Sequence, residues 1–319
     1  LTNKGTLTSI NGFTANGTVI NTGAIIGNNG TAIQFGTGDD MLEVGNGASF
    51  SGIVDGGAGS DTLEFLANSS GSADGFSNFE NTTLDTGASW TFSGDTTVAS
   101  GDTLTNHGTF IGTGHLYDAG LVTNSGSIGQ TVTLTGAGYL NNNGTITGAD
   151  YGVYGLVGAD GTFINAGVIT GTSSAGVFLL NGGMVTNGDT AHTDARISGG
   201  VYGVYITGAP GTIVNYGTIS TTGTKAISLK DGGAVYNHGL ISGGGSALYI
   251  SGTGYVHNSG TIANASNGIR FHGAGTLNNT GSISGSSAGV YAVGGASTIN
   301  NSGTVSGTVA VLFSDAAGT

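Results

Sequence analysis

The chain reads as an all-β protein, a right-handed parallel β-helix with three strands per coil. Three observations predict it: a recurring Asn-x-Gly tripeptide, apolar residues alternating around each copy, and a glycine-rich composition almost free of proline and charge. The Asn of the tripeptide falls at Asn106, Asn124, Asn142, Asn165, Asn215, Asn237, Asn258, Asn279 and Asn301, in steps of 18, 18, 23, 50, 22, 21, 21 and 22 residues. The long step holds a degenerate copy at Asn187, followed by an inserted "DTAHTDAR", and earlier copies stand at Asn3 and Asn21. A fixed period of about 18–23 residues marks a stack of coils.

Each coil supplies three apolar rows. Two residues before each Asn sits an apolar residue, as in Leu104, Val122, Val235 and Leu277, and two after each Gly another, as in Phe110, Ile128, Ile241 and Ile283. A third row runs through Val153, Val177, Val204, Ile227, Leu248, Ile269, Val290 and Val311. Alternation with period two means strands with one face inward. The same parity turns the Asn inward, where one amide can bond the next and the corner backbone, as in other stacked β ladders. Gly is expected to supply a positive-φ corner. The Asn row is therefore a structural ladder.

With 66 Gly, one Pro, no Cys and 7% charged residues in 319, the composition is far from the roughly 25% charge of ordinary domains. Hydrophobic residues at 37% set it apart from disordered chains. No apolar run approaches the roughly 18 residues of a membrane helix. The opening "LTNKGTLTSI" has neither the basic start nor the apolar stretch of a secretion signal. No disulfide framework is available. Residues 1–319 are expected to form one β-helix, with 34–103 a less regular acidic segment carrying side loops and 104–319 the regular coils.

Net charge is −13, and eleven of the 18 acids lie between Asp39 and Asp102. No Lys or Arg occurs between Lys4 and Arg196. Nucleic acid is a poor partner for such a surface and none is expected, because phosphate neutralisation needs clustered cations. A cation suits the acidic segment better. "GGAGSDTLE" (56–64) fits the glycine-rich nonapeptide of calcium-binding β-rolls, and "FGTGDDMLE" (35–43) fits all but its first Gly. Asp40 and Asp61, 21 residues apart, should stack. Asp39, Asp40 and Asp61 are the candidate calcium ligands, with turn carbonyls completing the shell; a tight acidic turn on the solvent side explains the same residues.

The outward position of the third strand reads Tyr154, Phe178, Tyr205, Ser228, Tyr249, Arg270, Tyr291 and Leu312. Five of these eight are aromatic in a chain 8% aromatic overall. Stacking would align them into a stripe, with Tyr154, Phe178, Tyr205, Tyr249, Arg270 and Tyr291 as candidate binding residues. Rings that only cover one another account for it equally. Catalysis finds little support. The six histidines, His107, His115, His192, His238, His257 and His272, have no nucleophile motif with them, and His107 and His238 fill the outward middle place of Asn-x-Gly. Asp150, Asp160, Asp189, Asp194, Asp231 and Asp315 fall in expected loops rather than in a facing pair, and no His/Asp metal spacing occurs.

These features together resemble the passenger regions of bacterial autotransporters. The likeness rests on "NNGTITG", "NYGTIS", "NHGLISG" and "NTGSISG", on the acidic paired turn, and on "GFSNFENTTLDTGASWTFSG" with Phe79, Glu80, Asn81, Trp90 and Thr91. The resemblance implies a secreted β-helical fragment at the bacterial cell surface, held at the outer membrane by a C-terminal barrel absent from this chain. It implies mostly adhesion, aggregation or biofilm formation, with proteases and esterases as minorities, and a host glycan, a surface protein or a second copy as partner; the residues surveyed above point to no enzymatic activity. A polysaccharide lyase or hydrolase, or a purely structural stalk, is the alternative.

Overall fold

The computed structural model describes residues 1–9, 13–156 and 162–314. Asp160 and Asp315 lie outside the described residues. Regular structure among the described residues is β-strand throughout, in parallel pairs that build a β-solenoid. The chain forms two units, residues 1–130 and 131–319.

The second unit repeats one plan. A representative coil runs Gly233–Asn237, Leu240–Gly243 and Ser246–Ser251, and the next opens at Gly254–Asn258. Each strand pairs with its counterpart one coil on: Val235 with Val256, Ile241 with Ile262, Leu248 with Ile269. Three walls thus enclose a core in which Val235, Ile241, Leu248 and Ile250 are fully buried. Period-two alternation drives this, since every second side chain leaves water.

The Asn column closes one corner. Asn165, Asn187, Asn215, Asn237 and Asn258 are fully buried. Each Nδ2 donates to the Oδ1 one coil on, at 2.8 Å for Asn165 to Asn187, Asn187 to Asn215, Asn215 to Asn237 and Asn237 to Asn258. The same amide reaches corner carbonyls, as Asn237 does to Gly239 O (3.1 Å) and Thr261 O (3.2 Å). The column continues through Asn279 to Asn301, and the inserted loop after Asn187 leaves it unbroken.

The glycine of Asn-x-Gly corrects the expectation. Gly126, Gly167, Gly217, Gly239, Gly260, Gly281 and Gly303 are not among the positive-φ residues. A Cβ at Gly239 would instead stand 2.1 Å from Gly217 O, and one at Gly281 2.1 Å from Gly260 O. Glycine is required because the corners of adjacent coils stack backbone on backbone.

The first unit keeps the first wall in register from Thr2–Asn3 through Leu121–Asn124. Its inward column changes chemistry on the way: Asn21 pairs with Val44, then come Phe65, Leu84 and Asn106. Asn21 Nδ2 and Asn106 Oδ1, which flank this apolar stretch, are buried without a hydrogen-bond partner. The bent strands Ala24–Phe35 and Ser49–Asp55 turn from one wall into the next. The third wall is interrupted: Phe76–Ser77 pairs back to Val54 and Asp55, Thr96–Val98 pairs forward to Leu116–Asp118, and the two belong to different sheets. There Trp90, its Nε1 donating to Ser69 Oγ at 2.8 Å, packs on Phe65, and Phe92 stacks on Phe110 at 4.0 Å.

Candidate functional site

The third wall of the second unit carries the predicted stripe. Its strands include Tyr151–Gly155, Ala175–Leu179, Tyr202–Ile206, Lys225–Leu229, Ser246–Ser251, Asn267–His272 and Ala288–Val293. Tyr154, Phe178, Tyr205, Ser228, Tyr249, Arg270, Tyr291 and Leu312 are register partners in unbroken succession.

A second outward row accompanies it, and strict alternation does not predict that row. In each strand a small residue and the following aliphatic are both buried, as with Gly152 and Val153, Gly203 and Val204, and Ala226 and Ile227. The break in parity frees the preceding residue to face outward, so Tyr151, Tyr202 and Lys225 join the face. The signal was present as "YGV", "AGV", "YGV", "KAI", "SAL", "NGI" and "AGV", with Gly or Ala always in the middle. At Gly152 a Cβ would come 2.5 Å from Ile169 Cγ2, so the corner demands a small residue there.

Ser228 divides the face. Before it, rings touch rings: Tyr151 and Tyr154 stack at 5.1 Å, Tyr154 meets Phe178 at 5.5 Å, and Phe178 meets Tyr205 edge-on at 4.8 Å. Beyond it, rings touch cations. Lys225 Nζ lies 4.9 Å, Lys230 Nζ 5.5 Å and the Arg270 guanidinium 5.9 Å from the Tyr249 ring centre, and Arg270 also lies 5.3 Å from that of Tyr291. All these rings are half-buried, whereas Leu312 is exposed. Ser228 is fully buried, and its Oγ and the Arg270 Nε have no hydrogen-bond partner. Burial, then the Lys230 charge, holds the Lys225 ammonium below its usual pKa; Arg270 adds to this and Tyr249 opposes it.

The acidic edge lies in the first unit. Asp40 and Asp61 are buried and Asp39 is exposed. Their carboxylates accept backbone N–H groups of neighbouring coils: Gly17 N donates to Asp40 Oδ1, Asp40 N to Asp61 Oδ1 (2.7 Å) and Ser60 N to Asp39 Oδ1 (2.9 Å). Glu80 extends the series by accepting from Asp61 N at 2.7 Å, a role its local sequence does not disclose. Burial raises the Asp61 pKa first, and the Glu80, Asp40 and Asp39 charges raise it further against the pull of the Asp40 amide. Asp40 Oδ2 and Asp61 Oδ2 are buried without a partner. Among the described residues no three His, Cys, Asp or Glu side chains are grouped to hold a metal ion.

At the interrupted wall a cleft of about 650 Å³ opens over Phe76, Phe79, Phe92 and Phe110. Acids at its rim are turned to local structure: Asp74 accepts from Ser93 N (2.9 Å), and Asp95 from His115 N (2.9 Å). His107 and His238 each place Nδ1 near a serine hydroxyl one coil on, Ser125 at 2.7 Å and Ser259 at 2.8 Å, on the exposed surface. His192 Nδ1 lies 2.9 Å from Asp189 in the inserted loop. Among the described residues no helix is long and apolar enough to cross a membrane.

The geometry defines a β-solenoid with one aromatic and cationic face. No family model, curated protein or solved structure matches the chain.

Proposed function

We propose that this chain is a non-enzymatic attachment module of a bacterial cell surface, a passenger-type β-solenoid whose third wall in residues 131–319 contacts a host glycan, a surface protein or a second copy. One observation carries the proposal: the residues from Tyr154 to Leu312 stand in unbroken register, so that half-buried rings and a cation line one wall on both sides of the buried Ser228. Aromatic and Arg side chains are the groups that supply binding hot spots. The autotransporter origin rests on the resemblance of the repeats and of the Phe79–Thr91 segment. On that reading the molecule works outside the cell, at the bacterial surface.

The test uses two multiple variants of the whole chain, Tyr154→Ser/Phe178→Ser/Tyr205→Ser and Tyr249→Ser/Tyr291→Ser. Beads coated with each are scored for self-aggregation and for attachment to epithelial cells and polysaccharide-coated wells. Loss of attachment at an unchanged melting temperature supports the face. Full attachment by both variants refutes it and leaves a structural stalk.

A further inference from the structure

Three of the chain's five Lys and Arg surround one tyrosine, Tyr249, at 4.9–5.9 Å from its ring centre. The chain as a whole carries −13, yet residues 196–314 hold four cations and the single acid Asp231. That carboxylate is engaged elsewhere, accepting from Gly208 N at 2.6 Å and Thr207 Oγ1 at 3.3 Å. Among the described residues no carboxylate lies within 4.0 Å of Lys225, Lys230 or Arg270. Three like charges gathered without a counter-ion repel one another, and an anion placed among them relieves that repulsion.

We infer that Lys225, Lys230 and Arg270 around Tyr249 form a subsite for an acidic pyranose, a uronic-acid-type unit of an anionic glycan. The inference rests on the attachment reading above. Tyr249 and Tyr291 supply ring faces of the kind that sugar C–H surfaces cover, and Lys225 and Lys230 approach Tyr249 from the coil before it while Arg270 approaches from the coil after it. The Arg270 guanidinium is planar and carries the forked donors that a carboxylate accepts, and no carboxylate of the described residues uses them. Nucleic acid fits less well. Affinity for a phosphate backbone grows with the number of phosphates that cations neutralise, and three cations neutralise few while 16 of the 18 acids lie in residues 1–195 of the same chain.

The whole chain is titrated calorimetrically with trigalacturonate, neutral galactotriose, a heparin hexasaccharide, sodium sulfate and a single-stranded DNA 20-mer. Trigalacturonate is expected to bind with an affinity that falls as NaCl rises, and galactotriose at least about tenfold more weakly. Arg270→Lys, which keeps the charge and loses the fork, should weaken trigalacturonate about tenfold, and Lys225→Gln/Lys230→Gln/Arg270→Gln about a hundredfold, with circular dichroism unchanged. Equal binding of galactotriose, or of trigalacturonate by the triple variant, overturns the inference. So does tighter binding of DNA, sulfate or the hexasaccharide than of trigalacturonate. The attachment assay separates the two levels: a triple variant that attaches fully while the tyrosine variants fail sinks the acidic-sugar subsite alone. Attachment indifferent to both sinks the attachment reading itself.

Discussion

Replacing Asn237 by Ala tests whether the buried amide column holds the second unit together. Asn237 is fully buried, and its Nδ2 donates to Asn258 Oδ1 (2.8 Å), Gly239 O (3.1 Å) and Thr261 O (3.2 Å), while its Oδ1 accepts from Asn215 Nδ2 (2.8 Å). Truncation removes these bonds and takes the ladder donor from Asn258 Oδ1. Net contributions of about 0.5–1.5 kcal/mol per bond, with about 1–3 kcal/mol for a buried polar group left unmet, put the loss near 3 kcal/mol. Asn301→Ala is the internal control. Asn301 is exposed at the end of the column, accepting from Asn279 and donating to Gly303 O, and its loss should stay below about 1 kcal/mol. Stability is read as the change in guanidinium midpoint multiplied by the slope, in the nearest-neighbour terms that suit a repeat protein. Far-UV circular dichroism is the probe, because Trp90, the single tryptophan, belongs to the other unit. Equal losses for Asn237→Ala and Asn301→Ala would refute the ladder as a source of stability.

Gly239→Ala should cost more than the Asn change, because its Cβ would stand 2.1 Å from Gly217 O, a backbone atom that only a shift of the coil can clear; a variant as stable as wild type in the same denaturation would disprove the clearance argument. Asp118 is fully buried in the first unit, and burial lifts its pKa to about 7 from 3.8, offset in part by the Gly120 amide. The folded state therefore holds a proton that the unfolded chain releases, so this contribution is complete below about pH 3.8 and lost as pH rises to about 7, by at most about 4 kcal/mol. Asp118→Asn should flatten that slope, and a wild-type midpoint constant from pH 4 to 7 would contradict it. If Asp40 and Asp61, each with one unpartnered buried oxygen, take calcium together with turn carbonyls, millimolar calcium raises the melting temperature of wild type and not of Asp40→Asn/Asp61→Asn. Identical melting curves with and without calcium would leave these carboxylates as acceptors of backbone amides alone.

Much of the architecture was legible because a solenoid's core is written locally. The apolar rows through Val235, Ile241 and Leu248 need only period-two alternation to face inward, and a repeat near 21 residues brings each row onto its copy. The inward Asn followed from the same parity. The purpose of its glycine did not, because the clash with the carbonyl of the preceding coil exists only once coils are stacked. Strict alternation likewise hid Tyr151, Tyr202 and Lys225, since the parity break at the small residue comes from crowding by an isoleucine of the adjoining wall. The same limit applies to chemistry. Glu80 enters the acidic edge by reaching the Asp61 amide 19 residues back, and Lys225, Lys230 and Arg270 meet at Tyr249 from different coils. Which side chains become neighbours across coils depends on the summed lengths of strands and corners between them. A strand's own pattern records which way it faces, whereas the stacked register decides what it faces beside.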